Sequence, residues 1–198
     1  MLAIAVNGSP RKGGNTEILL KEVLRVLRKA RWRTEFMEVG GTDIRGCSAC
    51  GMCLVRKDRQ CAIKKDVFNK VFAKMLKADA IILGSPVYFG GVCSDMKALV
   101  ERSGYVARAN GNAFQGKIGA AVVALRRGGA IHAFDTINHM FLMSRMIVPG
   151  STYWNMGFGR DKGEVSADEE GLANMRHLAA AIDWLGKAIK PHTARYPE

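Results

Sequence analysis

Val6-Asn7-Gly8-Ser9-Pro10-Arg11-Lys12-Gly13-Gly14-Asn15-Thr16 joins two segments of opposite character. Before it stands a short apolar run, Leu2-Ala3-Ile4-Ala5-Val6. After it, from Thr16 to Ala30, Leu19, Leu20, Val23, Leu24 and Leu27 recur at helical spacing, with Lys21, Glu22, Arg25 and Arg28 between them. The sequence predicts a buried strand, a loop and a helix within the first thirty residues. Such a junction gathers free backbone N–H groups at the positive end of a helix dipole, which favours an anion. Ser9, Asn15 and Thr16 add side-chain donors, and Arg11 and Lys12 add positive charge.

Gly8 and Gly13 have the glycine spacing of a Walker A loop, but Gly14-Asn15 stands where Lys-Ser/Thr is required. No G-x-G-x-x-G marks a dinucleotide fold. What remains is a cradle for one phosphate ester, against the plainer reading of an ordinary strand–turn–helix junction with a basic surface.

Further along, apolar runs alternate with amphipathic ones. Strands are expected at Arg33–Val39, Ala80–Gly84, Lys117–Leu125 and Met146–Val148. Helices are expected at Val67–Lys77, with Asp66 as cap, and at about Ser94–Ser103, Ala130–Arg145 and Asp168–Lys190. Five strands alternating with helices argue for a parallel sheet covered on both faces. No repeat or linker interrupts the 198 residues, so residues 1–198 are expected to form a single domain, with a cysteine-rich insertion at about 44–64. In such folds ligands bind at the carboxyl ends of the strands. Three glycine-rich loops fall there: 7–16, 85–91 and 125–129. In the second, Pro86 stiffens the chain, Tyr88 and Phe89 offer flat faces, and Gly90 and Gly91 allow close approach. The bland reading makes Tyr88 and Phe89 core or interface residues. In the third, Arg126 can meet a ligand edge or a phosphate, and Gly128 and Gly129 again permit approach, or the arginines are only solvated surface.

These loops resemble those of flavodoxin-like, NAD(P)H-dependent FMN reductases. The resemblance rests on Asn7-Gly8-Ser9-Pro10-Arg11 followed by Asn15-Thr16, on Ser85-Pro86-Val87-Tyr88-Phe89-Gly90, and on Lys97 followed by Glu101-Arg102; it runs from Leu2 to about Val148. It implies a three-layer sandwich with a five-stranded parallel sheet in the order 2-1-3-4-5. It also implies FMN as cofactor, with its phosphate at Ser9, Arg11, Gly13, Asn15 and Thr16. The flavin ring would lie at Pro86, Val87, Tyr88, Phe89 and Gly90, with Arg126, Gly128 and Gly129 beside it. No side-chain acid, base or nucleophile is needed, because the flavin carries the chemistry.

Of five cysteines, four crowd into Cys47-x2-Cys50-x2-Cys53 and Cys61. Three thiols at spacing three in a turn with Gly46 and Gly51 can converge, and a fourth can close the set. The spacing differs from the bacterial ferredoxin run and from common zinc arrangements. It resembles the compact motif of iron–sulfur flavoproteins, a branch of the same reductases, which implies a 4Fe–4S cluster on Cys47, Cys50, Cys53 and Cys61. Free or redox-active thiols, and zinc, are the alternatives. Cys93 reads as a packed small residue. His132, His139, His177 and His192 share no ligand spacing and read as structural or surface residues.

The net charge is +12, locally concentrated at Arg56, Lys57, Arg59, Lys64 and Lys65. That suits a solvated surface, a phosphorylated cofactor or an acidic carrier such as ferredoxin; no nucleic-acid motif accompanies it, and no nucleic-acid partner is expected. No apolar stretch is long enough to span a membrane, and a cytoplasmic location is expected. The expected activity is electron movement from NAD(P)H or ferredoxin to a small-molecule or protein acceptor. A cluster-free FMN or quinone reductase is the first rival, and a basic zinc-binding nucleic-acid or protein adaptor the second. Tyr153, Trp154, Met156 and Phe158, within an irregular stretch from Pro149 to Val165, suggest a lid or the interface of a homodimer or homotetramer.

Overall fold

A computed structural model describes residues 1–197. Five parallel strands, β1 (Leu2–Asn7), β2 (Arg33–Glu38), β3 (Ala80–Tyr88), β5 (Ile118–Leu125) and β6 (Met156–Phe158), lie in the order β2-β1-β3-β5-β6. A sixth, the two-residue β4 (Gly91–Val92), folds back antiparallel on the end of β3. Leaving β4 aside, this is the expected doubly wound order, with the reversal between β1 and β3.

Side chains along each strand alternate between the two faces, as strand geometry requires. Ala3 and Ala5 of β1, Ala80 and Ile82 of β3, and Ile118, Ala120 and Val122 of β5 share one core with α1 (Asn15–Lys29) and α6 (Glu169–Ile189). Ile4, Val6, Ile81, Leu83 and Ala121 face the other core, with α3 (Phe68–Lys77), α4 (Ser94–Ala109) and α5 (Ala130–Met143). Both faces are covered, which is why the central strands are nearly continuous apolar runs and why parallel pairing is tolerated. Local fit is tight. A Cβ on Gly119 would lie 2.6 Å from the Phe141 ring, so glycine there lets α5 sit against the sheet.

The last strand differs from expectation. Met146–Val148 contributes only one bridge, Ile118 to Ile147, while the paired strand lies further on at Met156–Phe158. The two pieces serve successive stretches of the same edge of β5. Pro149 follows at once, and proline has no N–H for a ladder. The chain loops out and re-enters where the Val123 amide donates to the Asn155 carbonyl at 2.9 Å. Buried Asn155 and Asn174 hold the loop: the Ser151 hydroxyl bonds Asn155 Oδ1 at 2.6 Å, and Asn174 Nδ2 donates to Thr152 Oγ1 at 3.1 Å.

Helix boundaries follow the expected ones within a few residues, except that α4 continues to Ala109. Asp168 caps α6 by accepting from the Gly171 amide at 2.9 Å, and accepts from Phe158 at 2.7 Å, tying β6 to the helix. The cysteine-rich segment between β2 and α3 contains one short helix, α2 (Met52–Arg56). Among the described residues no helix is long and apolar enough to cross a membrane.

Candidate functional site

Parallel register carries β1, β3 and β5 to one edge of the sheet, and their loops meet there. The first loop is shaped by its own polar groups. Asn7 Oδ1 accepts the Ser9 amide at 3.0 Å, and Ser9 Oγ accepts the Arg11 amide at 3.2 Å. Gly13, at φ +63°, turns the chain, and its amide donates to Glu17 Oε2 at 2.5 Å. The Glu17 carboxyl is held below its usual range by its hydrogen bond to Lys21 and by that Gly13 amide, against the opposing effect of burial. Glu17 thus ties the loop to α1 and leaves the helix start alone. Gly14 at the N-cap is extended, and no side chain caps the helix.

A cleft of about 290 Å³ opens at this point. It brings together Ser9, Arg11, Asn15 and Thr16 from the first loop, Pro86, Val87 and Tyr88 from the second, and Arg126 from the third. It also includes Gly159, Arg160 and Lys162, from a loop after β6 inside the Pro149–Val165 stretch expected as a lid or interface, though these three residues were not singled out. The available signal was a basic pair set between glycines, Gly159-Arg160-Asp161-Lys162-Gly163, directly after the aromatic stretch. The nearest Lys162 atom, Cε, comes within 3.2 Å of where a Gly13 Cβ would stand.

Asn15 connects the two loops. Its Nδ2 donates to the Asp161 carbonyl at 3.0 Å, and its Oδ1 accepts the Gly163 and Val165 amides at 2.9 and 3.4 Å. Its side chain, expected on the phosphate, is therefore occupied in pinning the 159–163 loop over the site. Glu164 supports that loop from the other side, accepting the Arg160 amide at 2.7 Å and the Asp161 amide at 3.0 Å. These bonds hold its carboxyl below the usual range.

Among the described residues, no ion pair within 4 Å involves Arg11, Arg126, Arg160 or Lys162. The cleft's lining carries these four cations and no carboxylate, with Glu17 and Glu164 acting on Lys162 and Arg160 from outside it, so the site keeps a positive field. With the uncapped helix start, it fits a phosphate ester.

The remaining loop residues are arranged around this cleft. Tyr88 lines it, but Phe89 is fully exposed at the tip of the β3–β4 hairpin. Phe89 and Gly90 have φ of +46° and +81°, the signs of a two-residue type I′ turn. An aromatic residue is costly at a position that favours Asn or Gly. Gly128 and Gly129 line a neighbouring cleft of about 410 Å³, with Tyr153, Trp154, Met156 and Phe158. A Cβ on Gly129 would lie 2.9 Å from the Gly90 Cα, so the second and third loops meet through glycine. Below them Cys93 is buried, donates its thiol to the Gly8 carbonyl at 2.9 Å and its amide to Ser85 Oγ at 3.0 Å, and burial pushes the thiol pKa up.

The other four cysteines are free thiols. Cys53 and Cys61 rest against the α3–α4 core, Cys47 is half-buried and Cys50 is exposed. The Met52 amide, the Ser48 hydroxyl and Arg56 hold the Cys50 thiol below its ordinary pKa. Among the described residues, no three His, Cys, Asp or Glu side chains are grouped to hold a metal ion. Four soft thiol donors in fifteen residues suit iron or zinc by their chemistry, although their side chains do not converge here.

If Asn15 pins the 159–163 loop, Asn15→Ala should expose the bonds after Arg160 and Lys162 to trypsin. Removing two or three hydrogen bonds predicts cleavage there about tenfold faster. Timed digestion followed by mass spectrometry checks it, and an unchanged rate would show that the loop is held by other contacts.

Residues 1–161 match the family described as NADPH-dependent FMN reductase, beyond the point near Val148 where the motifs end. An iron–sulfur flavoprotein of Methanocaldococcus jannaschii is 36% identical over 197 residues, covering 96% of this chain and 100% of that protein. One of Archaeoglobus fulgidus is 32% identical over 187 residues, covering 88% and 92%. The fold is similar to that of RosB, solved with 8-demethyl-8-formylriboflavin-5′-phosphate bound: the TM-score is 0.78 at 18% identity, over 98% of this chain and 81% of that one. The match over residues 1–161 and the full-length relatives make the chain a flavin-dependent oxidoreductase belonging to the NADPH-dependent FMN reductase family.

Proposed function

We propose that the carboxyl-edge cleft holds FMN and that the chain passes electrons from a reduced donor, a nicotinamide nucleotide or ferredoxin, to a small-molecule or protein acceptor. The observation that carries this reading is a cleft lined by Arg11, Arg126, Arg160 and Lys162 at a helix start that no side chain caps. Ser9, Arg11 and Thr16 hold the phosphate, with Arg160 and Lys162 adding charge from above. Asn15 contributes its backbone amide and Gly13 the turn. Pro86, Val87 and Tyr88 flank the ring, Gly90, Gly128 and Gly129 let the loops approach it, and Phe89 and Arg126 border its edge. Bound FMN supplies the redox chemistry, hydride or single-electron. The protein's part is to anchor, pack and shield the cofactor.

Losing one charge-assisted contact costs about 1.5–3 kcal/mol, so Arg11→Ala should weaken FMN binding by roughly one to two powers of ten. Calorimetry decides it. Unchanged affinity removes Arg11 from the site, and a wild-type protein that binds no flavin overturns the whole reading.

We infer further that Cys47, Cys50, Cys53 and Cys61 ligate a 4Fe–4S cluster. Support comes from four free thiols of the right chemistry and from the iron–sulfur flavoprotein names of the relatives. The basic residues of the same segment, Arg56, Lys57, Arg59, Lys64 and Lys65, suit an acidic carrier. Anaerobically purified protein should contain about four irons per chain, and Cys50→Ser should lose them while keeping FMN. Flavin-loaded protein that holds no iron, even after reconstitution with iron and sulfide, would leave a cluster-free FMN reductase.

The exposed apolar residues Tyr153, Trp154, Phe158, Leu142 and Met143 support a homo-oligomer, a dimer or tetramer. Sedimentation of the flavin-loaded protein at micromolar concentration should show it. A lone monomer species would end this part of the proposal.

A further inference from the structure

The most heavily bonded buried charge in the molecule lies outside the cleft. Arg102, in the middle of α4, and Asp66, just before α3, each have side chains 1% exposed and form an ion pair. The pair is a two-pronged fork: Arg102 Nη1 donates to Asp66 Oδ2, and Nη2 donates to Oδ1 at 3.2 Å. The other two Nη hydrogens go to backbone. Nη1 donates to the Arg45 carbonyl at 3.0 Å, and Nη2 donates to the Ile63 carbonyl at 3.2 Å. Asp66 Oδ2 in turn accepts the Arg45 amide at 3.1 Å. The guanidinium lies 4.1 Å from the centre of the Phe68 ring.

Arg45 and Ile63 are the two ends of the cysteine segment. All four of Cys47, Cys50, Cys53 and Cys61 fall between them. One planar group therefore grips both strands of the neck, a task suited to arginine, whose rigid fork can serve a carboxylate and two carbonyls together. Neighbouring residues reinforce it. Glu101 Oε2 accepts the Cys47 amide at 3.4 Å, and Asn69 bonds both polar backbone groups of Cys61, at 2.8 and 3.1 Å.

The same helix reaches the flavin-side loops at its other end. Cys93, the N-cap of α4, bonds the Gly8 carbonyl and Ser85. Asp95, in the first turn, accepts the Gly41 amide at 2.8 Å. Arg102 is nine positions on from Cys93, about 14 Å along the axis at 1.5 Å per residue.

We propose that Arg102 is a positioning residue: it closes the neck of the cysteine segment and fixes residues 46–62 on α4, at a set distance from the cleft-forming loops that the helix's start bonds. Its functional meaning rests on the cysteines being a second redox site, but the clamp itself does not depend on what they bind. The test is hydrogen exchange by mass spectrometry on the purified, flavin-loaded protein, comparing wild type with Arg102→Lys, Arg102→Met and the double variant Arg102→Met/Asp66→Leu. The double variant leaves no unpaired charge buried.

Exchange across 46–62 should rise about tenfold in Arg102→Met, less in Arg102→Lys, with β1, β3 and β5 unchanged, because a local opening exposes only its own amides. FMN affinity should stay within about twofold, since Arg102 lies outside the cleft. Alkylation of buried Cys93 supplies an internal control for global opening. If strands and segment exchange faster together, or Cys93 becomes reactive in parallel, Arg102 is general core support and the proposal fails. It fails equally if 46–62 is unchanged in a folded variant, or if no variant folds. None of these outcomes depends on iron, so a missing cluster would be recognised separately.

Discussion

Parallel register is the constraint on which the rest depends. Ala3 lies opposite Ala80, and Ala80 opposite Ile118, so β1, β3 and β5 start level and run the same way, with β3 and β5 continuing past the end of β1 at Asn7. Such strands cannot be joined by tight turns. Each connection must cross a face of the sheet, which buries both faces and leaves every carboxyl-end loop on one edge. The connection leaving β1 runs to α1 on one face and the connection leaving β3 runs to α4 on the other, so the first loop stands at a gap between diverging connections. The cleft is a consequence of topology, filled in by whichever residues follow Asn7, Ser85 and Leu125.

What those residues supply is positive charge with no carboxylate in the lining beside it. Two unit charges in contact near a protein surface interact by several kcal/mol, enough for a single adjacent carboxylate to cancel an anion site. Here the nearby carboxylates hold backbone or an outward lysine: Glu17 takes the Gly13 amide and Lys21, Glu164 the Arg160 and Asp161 amides, and Asp168 the start of α6. The acids shape the loops from outside the cleft's lining, whose charged residues are all cations.

Periodicity and turn chemistry made much of this legible in the chain. Alternating apolar runs and helical stripes disclosed the layers, the resemblance to the reductases implied the order of strands, and the loop composition pointed to the cleft's first three walls. Its fourth wall, Gly159 to Gly163, was hidden because Asn15 pins it across some 150 positions of sequence, and such a bond leaves no local pattern. The split last strand was hidden for a related reason. Ile147 and Met156 both belong to the edge of β5, but the loop between them carries the aromatic residues that looked like a feature in their own right. Arg102 read as part of a family-like Glu-Arg pair, and nothing nearby in sequence announced that its partners were Asp66, Arg45 and Ile63.

A parallel sheet offers little freedom at its core and much in its crossovers, and the chain uses the two differently. The β2–α3 crossover carries four thiols on a segment with little core of its own: α2 buries none of its residues. A segment of this kind cannot hold a defined position by hydrophobic contact, because it has too little apolar surface to offset the entropy of ordering its backbone. It needs polar fixings, and those work best where water is excluded. The chain supplies them at the base, where Asp66 and Arg102 are buried beside Phe68, and leaves Cys50 and the α2 surface exposed. A rigid neck below an open tip lets the segment stay accessible to a partner while its base is held by the same helix whose start bonds the loops that form the cleft.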